Sequence, residues 1–73
     1  MTNTTHAVLA NMALLEERLR CALALTVEAR AALVRGDRNL AIGTLLPAEQ
    51  DLADASTLLK TVFVLHRAEP LAR

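Results

Sequence analysis

Few residues in this chain have the chemistry for catalysis or ligation, and they are scattered along it. His6 and His66 stand at opposite ends of the sequence. A chain that doubled back would bring the two imidazoles to one end, where they could share a metal ion or relay a proton. Two ligands without a third make a weak site, so a histidine ring packed against the end of a helical bundle is the simpler expectation. Cys21 is the only cysteine. A reactive thiolate needs a nearby histidine or other cation, whereas its place among apolar residues reads as a buried, inert thiol. Asp51 and Asp54, three residues apart, could form a carboxylate pair on one helix face, but a solvated or arginine-paired face accounts for both. Arg30 falls among apolar positions, where its stem could snorkel or its head could meet an acid from another subunit. The letters Arg35-Gly36-Asp37 spell a tripeptide of cell-adhesion ligands, yet helix termination explains the same three residues. None of this amounts to a catalytic, metal or nucleotide motif. The reading is of a protein that is not an enzyme and carries no cofactor.

Size and composition then restrict what can position those residues. Seventy-three residues allow one domain, and a chain this short buries only about 60% of the surface that it exposes when unfolded. Such a core needs a supplement. A disulfide or a structural metal is the usual one, but one cysteine and two distant histidines supply neither within a chain. Oligomerisation is what is left. Hydrophobic residues make up 53% of the sequence, with Phe63 the single aromatic, and Leu and Ala dominate. Both are strong helix formers, so the expected class is all-α. Formal net charge is zero, which gives no long-range attraction to nucleic acid or an anionic membrane. The first six residues carry no Lys or Arg and no apolar run approaches a signal core or a membrane span. With a lone cysteine, the expected location is the cytoplasm.

The chain divides at Gly36. Thr4 and Thr5 can cap a first helix over about 5–35, with the turn at 36–37 and a second helix over about 38–68. A left-handed Gly36 ends the first helix cheaply, and Asp37 or Asn39 can cap the second. So short a connection forces the helices antiparallel. Pro47 interrupts the second helix, either as a fresh start with Glu49 in its first turn or as a kink in a continuous helix eased by Gly43. The unbroken phase of the apolar pattern favours the kink. Ala68-Glu69-Pro70 is the expected stop.

Both helices carry a seam with steps of four and three. In the first it runs through Val8, Met12, Leu15, Leu19, Ala22, Thr26, Ala29 and Leu33. In the second it runs through Ala41, Leu45, Ala48, Leu52, Ala55, Leu59, Val62 and His66, alternating small with large. Small residues let two backbones approach closely while leucines fill the layers between. Additional stripes, Leu14, Cys21, Leu25 and Ala32 in one helix and Ile42, Leu46 and Val64 in the other, exceed what one partner helix can cover. Arg18 and Arg20 should lie near Asp51 and Asp54 across the hairpin, and Glu16 near Thr57 to Lys60.

These features predict an antiparallel helical hairpin that pairs with a second copy into a four-helix bundle. Val8, Met12, Leu15, Leu19, Ala41, Leu45, Ala48, Leu52, Ala55, Leu59 and Val62 are the expected oligomer or partner interface. The expected function is a small noncatalytic interaction module, an adaptor or regulator, whose partners are itself and another protein rather than nucleic acid or membrane. Two alternatives stand beside it. The small/large seam in a helical hairpin resembles in plan the Rop-type RNA-binding regulators, a resemblance of architecture that implies an RNA- or DNA-binding bundle. Eight acids against eight bases, with Arg18, Arg20 and Arg30 pointing in different directions, run counter to a phosphate-tracking face. The other alternative is a small-ligand or metal site at the His6/His66 end.

Overall fold

A computed structural model describes residues 2–68. It contains two α-helices and no strands: α1 spans Asn3–Val34 and α2 spans Arg38–Ala68. The chain is an all-helical hairpin, a rod with extents of 58 × 17 × 13 Å. Its radius of gyration, 16.9 Å, is well above the roughly 11 Å of a compact domain of this length. The shape follows from two long helices with only each other to pack on.

α1 starts earlier than the threonine pair at 4 and 5 predicts. Thr2, in extended conformation, is the N-cap, and its Oγ1 accepts from the Thr5 amide at 3.0 Å. Neighbouring threonines offer equivalent acceptors, and use of the first of them adds about half a turn to the helix. The expected stop at Glu69-Pro70 lies outside the described residues.

The turn realises the expected capping chemistry with no residue to spare. Gly36 takes a φ of 87°, and its amide donates to the Leu33 carbonyl at 2.9 Å while the Asp37 amide donates to Ala32 at 3.0 Å. These paired bonds satisfy the last carbonyls of α1. Asp37 then turns its own carboxylate forward, and Oδ1 accepts from the Leu40 amide at 3.0 Å to cap α2. One residue thus closes α1 through its backbone and opens α2 through its side chain. Asp37→Ala is expected to lower the unfolding free energy by about 1 kcal/mol. A urea titration should show an earlier midpoint with an unchanged slope.

α2 runs through Pro47 without interruption, so the alternative of a fresh helix at the proline is not adopted. Pro47 lies on the exposed side of α2, as do Leu46 and Glu49. Its ring therefore crowds no part of the hairpin core.

Half of each expected seam lies between the helices. Ala22 and Ala29 of α1 and Ala41, Ala48, Ala55 and Val62 of α2 are buried, and Val8 and Leu15 are half-buried. The other half of each seam is displaced. Met12, Leu19, Thr26 and Leu33 of α1, and Leu45, Leu52, Leu59 and His66 of α2, are exposed. In their place the inter-helix positions are Asn11, Arg18, Leu25 and Ala32 of α1, and Thr44, Asp51, Leu58 and Leu65 of α2. Both helices are rotated in the same sense from the expected orientation. The two patterns share their alanines, so the choice falls to the residues between them: Arg18 and Asp51 pair at 3.3 Å across the contact, with Leu25, Leu58 and Leu65 half-buried in line with them. Leu25 and Ala32, read from sequence as a second stripe, belong to the contact itself.

Candidate interaction surface

The rotation decides which side chains the hairpin offers to solvent. Met12, Leu19 and Leu33 each follow a contact position of α1 by four residues, and Leu45, Leu52 and Leu59 do the same on α2. A step of four turns about 40° past a full turn, in the same sense on each helix. Because the helices are antiparallel, equal rotations bring both sets to the same side of the hairpin. A shallow groove on that side is lined by Thr26 of α1 together with Leu45, Ala48 and Leu52 of α2, which places the two sets along one channel with alanine at its floor. Leu9, Leu23, Ile42 and Phe63, also exposed, extend this flank outward.

The other flank has a different chemistry. Its groove is lined by Leu14, Arg18, Asp54, Thr57 and Leu58. Arg18 reaches across it, with Nη1 at 3.3 Å from Asp51 Oδ1, and the Asp51 side chain is only 13% exposed. The Asn11 amide group donates to the Ala7 carbonyl at 2.8 Å, and Asp54 accepts from Gln50 Nε2 at 2.8 Å. The hairpin therefore has one flank dominated by leucines and one on which the Arg18–Asp51 pair and Asp54 stand beside Leu14 and Leu58.

The residues with chemistry are not brought together. His6 and His66 are both exposed in the hairpin. Among the described residues, no group of three or more His, Cys, Asp or Glu is placed to hold a metal ion. Cys21 is half-exposed where burial was expected, with Sγ donating to Glu17 Oε2 at 3.6 Å. Asp51 and Asp54 are engaged separately, the first with Arg18 and the second with Gln50. Of the expected cross-hairpin pairs, Arg18 to Asp51 forms. Arg20 instead bonds along its own helix to Glu16 at 2.7 Å, with Glu17 at 3.9 Å. An i,i+4 partner on the same helix costs less side-chain entropy to reach than one across the hairpin. Arg30 is exposed on the apolar flank's outer edge.

No helix among the described residues is long and apolar enough to cross a membrane. No family model matches this chain, and no curated protein or solved structure matches it.

Proposed function

We propose that this protein is a small noncatalytic interaction module, an adaptor or regulator of the cytoplasm, that works as a homo-oligomer of hairpins, in its simplest form a dimeric four-helix bundle. One observation carries the reading. The chain exposes 5593 Å², whereas a compact monomer of its 7.9 kDa mass would expose about 4,400 Å². Large apolar side chains such as Leu14, Leu23, Leu46 and Leu52 are exposed, and among the described residues the buried core consists of six alanines and Val62 with no large side chain fully buried. Alanine layers bring helices together but remove little apolar area from water, at about 25 cal/mol per Å². A further set of buried leucines is what such a hairpin needs, and a second copy supplies it. In this bundle α2 bends at Pro47, where the proline withholds the hydrogen bond that the Gly43 carbonyl would otherwise accept. Another protein's helix would dock on apolar residues that the bundle leaves uncovered.

The cations of α1 do not favour nucleic acid as the partner. Arg18 and Arg20 are two residues apart on α1 and so on different sides of it, each beside a carboxylate, and they form no continuous positive face.

Sedimentation equilibrium on the purified chain tests the reading directly, with a dimer mass or higher expected at micromolar concentration. Because association is then part of folding, the melting midpoint should also rise, by about 3–6 °C for each tenfold increase in concentration. A folded monomer with a concentration-independent midpoint would overturn the proposal.

A further inference from the structure

We infer that the second copy docks on the apolar flank, the side of Leu19, Leu45, Leu52 and Leu59, and leaves the flank of Arg18 and Asp51 to solvent. This inference rests on the self-association proposed above and adds which face is used. Three observations carry it.

The first is area. Over the whole rod the surface beyond that of a compact monomer is about 1,200 Å², so an interface of roughly 800 Å² per partner needs most of it on one face. The exposed large apolar residues are concentrated on this flank, with Met12, Leu19 and Leu33 from one helix facing the same way as Leu45, Leu52 and Leu59 from the other.

The second is the cost of covering each side. On the apolar flank the Thr26 hydroxyl already donates to the Ala22 carbonyl at 2.8 Å, and the charged residues Glu16, Arg30 and Glu49 are exposed at its outer edge. A partner can cover the centre without stranding a polar group. On the opposite flank it would have to desolvate the Arg18–Asp51 pair and Asp54, and burying such charges is unfavourable unless every one is repaired.

The third concerns the identity of the occupant. The flank runs along a rod 58 Å long, while an average helix of about 11–12 residues covers only about 17 Å. A second copy has the required length, and it brings leucine ridges on either side of an alanine-floored groove to meet the same relief. Glu49 lines the groove beside Leu45 and Leu52, and Glu16 and Arg20 stand beside Met12 and Leu19, so a second copy brings acids and bases that can face each other at the margin.

Leu52 and Leu14 stand on opposite flanks and are almost equally exposed, at 53% and 55%, so they make a matched pair. In sedimentation, Leu52→Arg is expected to raise the dimer dissociation constant at least a hundredfold, with Leu14→Arg within threefold of the parent chain. Leu52→Arg could also unfold a chain that depends on its partner. A milder measurement therefore introduces Leu52→Cys or Leu14→Cys into a Cys21→Ala background and follows alkylation by a maleimide as the protein concentration rises through the dissociation constant. Alkylation at position 52 should slow at least tenfold while that at position 14 stays unchanged. If the chain dimerises but position 14 is protected, alone or together with 52, the choice of face is overturned and self-association stands. If the chain is a monomer and neither site is protected, both fall.

Discussion

Ala32→Leu should lower the unfolding free energy by about 1–3 kcal/mol, toward the upper end of the usual range for overpacking a close contact. Ala32 is 1% exposed and clusters with Ala29 and Ala41 immediately below the turn. Its carbonyl also accepts the Asp37 amide that closes α1. Three added carbons at this point must push α1 and α2 apart where they are tethered most tightly, and the turn cannot lengthen to relieve them. Against a total stability of about 4–11 kcal/mol for a chain of this size, the loss is severe. Ala31→Leu, on the exposed side of the same helix turn, serves as the control and should move stability by no more than about 0.5 kcal/mol. The two variants are compared by urea unfolding at one fixed protein concentration. Equal effects would mean that the alanine contact does not set the distance between the helices.

Pro47→Ala is expected to act in the opposite direction, raising stability by as much as about 3 kcal/mol. Pro47 lies inside a helix that continues for more than two turns on either side of it, where a proline both withholds a hydrogen bond and crowds the carbonyl four residues back. Alanine restores the donor to the Gly43 carbonyl and adds no volume to any contact, because position 47 is exposed. The melting midpoint, again at fixed concentration, should rise by several degrees or more. A neutral or destabilising result would show that the proline is held by contacts other than those of a continuous helix.

The two substitutions mark the boundary between what was legible in the sequence and what was not. Pro47, Gly36 and Asp37 act through backbone chemistry that belongs to the residue type, so the hairpin, the place of its turn and the capping of α2 follow from the letters. The all-α class and the alanines at positions 22, 29, 41, 48 and 55 follow too, because a four-and-three pattern of small residues has one meaning in a helix. Thr2 as the cap of α1 does not follow, since neighbouring threonines are chemically equivalent.

The orientation of each helix about its own axis could be decided only in three dimensions. The alanine layers are compatible with leucine neighbours on one side or with Asn11, Arg18, Thr44 and Asp51 on the other. Counting apolar residues selects the leucines for the inside. The folded hairpin selects the other set, in which Arg18 and Asp51 satisfy each other at 3.3 Å and Leu25, Leu58 and Leu65 are half-buried between the helices. Periodicity reports how often a residue returns to one face of a helix, and it contains no term for the width of the gap between two helices. Two long helices, the place of the turn between them and an excess of apolar surface are written in the residue types and their spacing; the connection runs over three residues, Arg35 to Asp37, one more than the expected 36–37. Folding places most of the exposed large apolar residues on the flank of Leu19, Leu45, Leu52 and Leu59, with Leu14 on the opposite one, because the rotation of each helix is fixed by what its neighbour accepts across the gap.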